Sequence, residues 1–424
     1  MGFNLSTWVY FALMGLAFVV TLLVYPYVLS LARRHHIMDN PNARKLQRVP
    51  VPVMGGATVF IGLLASVTLG FFLCGDMWLV KILALLSVMF LIGTWDDVRG
   101  VPVTLRLFVE ILVVWALILL LGANIHSFHG LWGIGELPSA VSVPLSLFAG
   151  VGIINAINLI DGVDGYCSTY GMMACASFAV IFYLSGIMVL FMLALIAIGA
   201  LIPFFFHNVF GKTSKMFLGD GGSLMLGTLL TIFTFVALSH PAVGALFDGA
   251  GVSLVALTLA ILAIPVFDTL KVMLFRMVRG QSLFHPDKTH LHHLFIEMAF
   301  SHISTSGILV STNVAIIALT LLGWYAGVPV DGQVYIAVGL ALLVTWGFYF
   351  FMEGQHRQND GAGSALFQRW AEPGSLTSLS EARWWLWVRR MVDGRFLGGT
   401  PAPEEKGAES DVPAPENRPD PRIR

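Results

Sequence analysis

About eleven apolar stretches, each long enough to cross a bilayer as a helix, follow one another through the chain. They cover approximately 7–32, 53–73, 78–95, 104–122, 143–160, 166–184, 187–206, 221–239, 252–274, 307–325 and 333–352. Inside hydrocarbon every backbone N–H and C=O must be paired within its own segment, so stretches of this length become helices. The expected fold class is all-α and polytopic. Composition agrees: 57% of the 424 residues are hydrophobic and only 12% are charged. Three cysteines, Cys74, Cys167 and Cys175, cannot pair completely and are expected to be small packing residues.

The loops give an orientation. The first stretch lacks a positive leader and is followed by Arg33 and Arg34, so it reads as an uncleaved anchor with the N-terminus outside. With that orientation, thirteen Lys and Arg in the short loops and helix ends fall on the cytoplasmic side, and Lys81 alone falls opposite. The stretches dense in Asp, Asn, His and Arg fall on the same side. A pore would distribute polar groups through the membrane, whereas an enzyme using a soluble substrate gathers them at one face. Two units are expected: a transmembrane domain over 1–352 and a tail over 353–424. In the tail, 381–396 carries Trp384, Trp385 and Trp387 among arginines and suits an interfacial helix; 401–424, rich in Pro, Glu and Asp, is expected to be disordered. No nucleic-acid partner is expected.

Five motifs lie on that face. In Asn155-Ala-Ile-Asn158-Leu-Ile-Asp161-Gly-Val-Asp164-Gly165, Asn155, Asn158 and Asp161 recur every three residues and share a helix face. Carboxylates near a membrane helix are costly, and oxygen-rich side chains beside glycine suit a hard cation such as Mg²⁺ holding a phosphate. The adjacent pair Asp96-Asp97 needs a cation, a proton or water between its charges; a solvated loop beside Arg99 is the plainer reading. Gly219-Asp220-Gly-Gly-Ser223 opens a helix, where Asp220 is either an N-cap or a metal ligand and the bare helix amides favour phosphate oxygens. His290-Leu-His292-His293 has no cysteine at zinc-finger spacing, and with Lys288, Arg276 and Arg279 nearby it suits a polyanion clamp. In Pro52-Val-Met-Gly55-Gly56 the glycines are expected to permit close helix packing. Before it, Asp39 to Lys45 includes Arg44 and Lys45, which suit a diphosphate or anionic lipid headgroups. Glu110 and Asp268, inside apolar segments, are assigned to buried hydrogen bonds, with a site role open for Asp268.

Together, and in this order, these blocks resemble the polyprenyl-phosphate N-acetylhexosamine-1-phosphate transferase family from about Asp39 to His293. The spacing His290-x-His292-His293 is similar to the N-acetylglucosamine branch that starts O-antigen and related glycans. Lys288 stands where an Arg is expected. The resemblance implies transfer of a sugar 1-phosphate from a UDP-N-acetylhexosamine to undecaprenyl phosphate, releasing UMP. It places the protein among the lipids of the bacterial inner membrane with its site facing the cytoplasm, and leaves a homodimer open. Asn158 and Asp220 are then expected to bind Mg²⁺, with Mn²⁺ as the alternative, and Asp161 to help set the metal site. Asp164 would contact the uracil. Arg276, His290, His292 and His293 would hold the diphosphate, with Asp39 and Lys45 also on substrate. Asp96 or Asp97 would orient the lipid phosphate or remove its proton. Another UDP-sugar is the nearest alternative. A prenyltransferase would need a second Asp-rich repeat, and a transporter predicts repeated halves with midplane binding; neither pattern is present.

Overall fold

The computed structural model describes residues 7–39, 50–282, 289–298, 300–358 and 383–394. Seven long helices come first: α1 (Thr7–Arg34), α2 (Gly55–Cys74), α3 (Met77–Arg99), α4 (Val103–Leu121), α5 (Ser139–Leu159), α6 (Tyr166–Leu184) and α7 (Met188–Phe210). They are followed by α8 (Gly219–Ser239), α9 (Pro241–Gly249), α10 (Leu254–Ile261), α11 (Ala263–Val278), α12 (Leu291–Glu297) and α13 (His302–Tyr325). The rest are α14 (Val330–Leu342), α15 (Tyr349–Gln358) and α16 (Arg383–Gly394). Among the described residues ten helices are long and apolar enough to span a membrane, the run Val330–Gly354 through α14 and α15 counting as one, or eleven if α9 and α10, bent by 105°, also count as one span. The chain is thus a multi-pass membrane protein.

Helix α8 is the axis. The whole of its most apolar stretch is buried, and α2, α3, α5 and α6 pack around it. Two glycines of its neighbours let their backbones approach. A Cβ on Gly56 would lie 2.3 Å from the Gly222 amide, and one on Gly93 would lie 2.4 Å from the Asp220 carbonyl. The expectation that the glycine pair before the second span serves close packing is borne out. The same contact accounts for the glycines that open α8, which the sequence suggested were left bare for a ligand.

The ninth expected span, 252–274, is not one helix. It breaks at Leu262 between α10 and α11, because Pro265 has no N–H to return to the preceding turn. The exposed polar groups are met from elsewhere. Asn313 of α13 donates to the Ala260 and Ile261 carbonyls at 3.1 and 3.0 Å and accepts from the Ile264 amide at 3.1 Å. The Tyr170 hydroxyl donates to the Ile261 carbonyl at 2.8 Å. A break inside a membrane domain is tolerated where such partners exist.

Two short strands depart from the all-helical expectation. β1 (Met38–Asp39) pairs antiparallel with β2 (Val51–Pro52), and the Phe217 amide donates to the Pro52 carbonyl at 2.8 Å. This ties the segment carrying Asp39 to the entry of α8. Lys45, Lys288 and 401–424 lie outside the described residues. The helix expected over 381–396 is present as α16, with Trp385 turned inward and Trp384 and Trp387 exposed.

Candidate active site

The N-terminus of α8 is where the motifs meet. The first-turn amides of a helix have no partner within it and form its positive end. Here carboxylates from two other helices take them. Asp97, at the end of α3, accepts from the Asp220 amide at 2.9 Å and the Gly221 amide at 3.1 Å. Asp161, in the turn after α5, accepts from the Gly219 amide at 3.1 Å. The expectation that these amides face a phosphate is therefore corrected: they hold Asp97 and Asp161 in place.

That leaves the Asp220 side chain to face outward from the first turn. One of its oxygens accepts from the Asn158 amide group at 2.6 Å, and the same group donates to Ser223 Oγ at 2.9 Å. The other oxygen lies 3.7 Å from Arg106. Asp96 turns away from Asp97: it accepts from the Val101 amide at 2.8 Å and pairs with Arg106 at 3.1 Å. The two adjacent carboxylates thus turn to different partners, Asp97 to the first turn of α8 and Asp96 to the loop before α4 and to Arg106.

Arg106, near the start of α4, lies in none of the five motifs and was not singled out from the sequence. Its contacts with Asp96, Asp220 and Glu110 make it the cation at the centre of the cluster. The available signal was Glu110, one helical turn further along α4. Glu110 is buried and accepts a hydrogen bond from Asn155, as expected. Five carboxylates, two asparagines and one guanidinium therefore share this corner. The donor set is oxygen-rich, which fits a hard divalent cation.

Asp164 forms a second group. Its carboxylate meets Lys215 at 2.5 Å and His302 at 3.2 Å. Its turn is fixed by the Gly165 amide, which donates to Asn208 at 2.7 Å. Lys215 and His302 were not singled out from the sequence, because neither lies in a motif.

The histidine turn forms the third group. Asp268 accepts from Lys271 at 2.7 Å, from His290 Nδ1 at 2.9 Å and from the Leu291 amide at 3.1 Å. His292 packs against His293 with ring centres 4.5 Å apart. Its Nε2 faces the Asn155–Gly165 turn, where a Cβ on Gly162 would lie 3.2 Å from it. Burial, then the neighbouring histidines, hold His292 well below its ordinary 6.5, so it is neutral at pH 7 and offers a single N–H. Ligand atoms of Asp268, His290 and His292 lie within 4.8 Å of one another. The Lys271 ammonium already neutralises Asp268, so the arrangement is an ion network rather than a zinc site. Arg276 is buried further along α11. The structure thus brings Asp96, Asp97, Asn158, Asp161 and Asp220 together at the start of α8, and His292 faces their turn. Asp39 is linked to them through backbone pairing.

An apolar cavity of about 600 Å³ reaches Asn155, which donates to Glu110 at the edge of the carboxylate cluster. Leu107 and Ile111 of α4, Phe148 and Asn155 of α5, and Leu270 and Met273 of α11 are among its lining residues. Asn155 thus faces both the cavity and the Glu110–Arg106 pair.

Residues 78–238 match the model of glycosyl transferase family 4. The chain is 30% identical over 307 residues to the undecaprenyl-phosphate alpha-N-acetylglucosaminyl 1-phosphate transferase of Yersinia pestis, covering 68% of this chain and 80% of that protein. It is 30% identical over 316 residues to the decaprenyl-phosphate N-acetylglucosaminephosphotransferase of Mycobacterium leprae (strain TN), covering 69% and 78%. A protein of Bacillus subtilis (strain 168) named probable undecaprenyl-phosphate N-acetylglucosaminyl 1-phosphate transferase is 26% identical over 343 residues, covering 80% and 89%.

Proposed function

The chain belongs to glycosyl transferase family 4, the polyprenyl-phosphate N-acetylhexosamine-1-phosphate transferases, and from that premise we propose that it moves N-acetylglucosamine 1-phosphate from UDP-N-acetylglucosamine to undecaprenyl phosphate. The observation that carries this reading is the apolar cavity meeting the carboxylate cluster at Asn155. A lipid phosphate needs both at once: an apolar channel for its chain and a charged corner for its head.

In the proposed reaction an oxygen of the lipid phosphate attacks the β-phosphorus of the UDP-sugar. The bond from that phosphorus to the oxygen it shares with the α-phosphate breaks, and UMP leaves. The second pKa of a phosphomonoester is about 6, so the attacking group is mostly dianionic at pH 7 and gains little from a base. Positioning and charge neutralisation are the larger contributions. Arg106 neutralises one side of the reacting phosphates. Asp97 and Asp161, fixed by the amides of α8, keep Asp220 and Asn158 in register. The oxygen donors fit Mg²⁺, with Asp220 and Asn158 the residues that would hold it; bound there, it supplies further charge neutralisation. Asp164, paired with Lys215, contacts the nucleotide, and the neutral His292 donates to a diphosphate oxygen.

We place this site on the cytoplasmic face of a bacterial inner membrane. The thirteen-to-one distribution of Lys and Arg in the short loops supports that orientation. The histidine spacing favours supply of O-antigen-type surface polysaccharide. The test is incubation of the purified protein with Mg²⁺, undecaprenyl phosphate and a panel of UDP-sugars. UDP-N-acetylglucosamine should give the lipid product fastest. Preference for a UDP-N-acetylmuramoyl-pentapeptide or a 6-deoxy sugar would overturn the choice of donor.

A further inference from the structure

The segment joining α7 to α8, residues 211–218, carries Lys215 to Asp164 and then enters the carboxylate cluster. Little of its conformation is internal. The Tyr25 hydroxyl donates to the Ser214 carbonyl at 2.8 Å, and Arg33 donates to the Thr213 carbonyl. Asn208 donates to the Met216 carbonyl at 2.9 Å. Its end is paired with β2 and the start of α2, where the Phe217 amide donates to the Pro52 carbonyl and the Gly55 and Gly56 amides donate to the Phe217 and Leu218 carbonyls; its beginning is held by the tail. Asp393 of α16 accepts from the Lys212 amide at 3.0 Å, and from both the Ser214 amide and the Ser214 hydroxyl at 2.9 Å.

Two features show that Asp393 serves the loop rather than its own helix. It lies in the last turn of α16 (Arg383–Gly394), where the helix dipole disfavours a negative charge. Partial burial pushes its carboxyl upward, yet the hydrogen bonds from Lys212 and Ser214 outweigh this and hold it below the usual range. The other end of α16 is anchored apart from this contact: Trp385 is buried, with its ring centre 4.4 Å from that of Phe210, at the end of α7. The helix is therefore fixed at one end to α7 and at the other to the segment that α7 feeds.

We propose that α16 is a strap that sets the Lys215–Asp164 pair, with Asp393 as a positioning residue for nucleotide binding. This rests on the reading above that Asp164 contacts the nucleotide. Without Asp393, two loop amides and a hydroxyl lose an anionic acceptor, and the Lys215 ammonium is no longer held at its 2.5 Å contact. The tail thereby becomes part of donor recognition, although it lies beyond the motifs that carry the chemistry.

The test uses the full chain in lipid nanodiscs, with UMP binding followed by calorimetry and steady-state kinetics run alongside. Asp393→Ala should weaken UMP binding and raise KM for the UDP-sugar, each by about tenfold. Its kcat and its KM for undecaprenyl phosphate should stay within about twofold of wild type. Asp393→Asn, which keeps an acceptor oxygen and the side-chain shape, should fall between the two and serves if the alanine variant does not fold. In a Lys215→Ala background, Asp393→Ala should have no further effect on UMP binding, because the two act through one contact. Additive effects in that cycle would overturn the proposal. So would wild-type UMP binding by Asp393→Ala and Asp393→Asn while Asp164→Asn binds UMP weakly, and in that case the nucleotide role of Asp164 stands. Wild-type UMP binding by Asp164→Asn would remove both that role and the strap.

Discussion

Asp97 and Asp220 are both acidic and lie next to each other, yet their surroundings give them different work. Asp97 spends its two oxygens on the amides of Asp220 and Gly221, whereas the Asp220 side chain faces Asn158 and Arg106. Asp97→Ala should therefore cost about 1–3 kcal/mol of stability by leaving buried amides unpaired, as well as activity. Asp220→Ala should fold as wild type in thermal unfolding and lose turnover by about a thousandfold or more. Equal stability of the two variants would show that Asp97 does not cap α8. The histidine turn adds a pH dependence. His292 titrates lower in the folded protein than in the unfolded chain, so below its ordinary 6.5 the unfolded chain takes the proton first. Stability should then fall as the pH drops through that point, and His292→Gln should flatten the slope of melting temperature between pH 7.5 and 5.5. A slope unchanged by the substitution would mean that His292 is not the titrating group.

Among the elements, α8 sets the positions of those that carry the site, with α2, α3, α5 and α6 packed around it. Its first turn is reached by α2 and α3 only because Gly56 and Gly93 leave room. Gly56→Ala would drive a methyl group to 2.3 Å from the Gly222 amide, against backbone that cannot rotate away. A loss of about 1–3 kcal/mol is expected from the strain, together with reduced turnover, since Asp220 lies in the same turn. Unchanged melting and activity would show that this approach is not needed. The sequence made these helices legible through their apolar length, and the glycine pair announced their packing. The break at Leu262 was written in Pro265 but hidden by the unbroken run of apolar residues around it. Its acceptable cost depends on Asn313, some fifty residues away in sequence, and no local pattern reports such a partner. Arg106 and Lys215 were missed for the same reason: each was visible as a loop charge, and only the approach of α4 to α3 and to the start of α8, and of the α7–α8 segment to the Asp164 turn, shows what they meet.

For the molecule as a whole, the carboxylate cluster should face the cytoplasm. In a cysteine-free background, a cysteine at the exposed Glu136 should react with a membrane-impermeant reagent in intact cells, and one at the exposed Gln281 should react only after lysis. The opposite pattern would reverse the orientation. The central claim is more specific still: the chain moves a sugar phosphate, not a sugar. Asp220, Asn158 and Arg106 gather around a point suited to a diphosphate, so attack should fall on phosphorus and the phosphate next to the sugar should travel with it. One diphosphate bond is broken and one is formed, so the reaction should be reversible by added UMP. The direct measurement uses UDP-N-acetylglucosamine labelled separately at each phosphorus, with undecaprenyl phosphate as acceptor. The β label should appear in the lipid and the α label in UMP. Recovery of the β label in released UDP would mean attack at the sugar carbon, and would contradict the account.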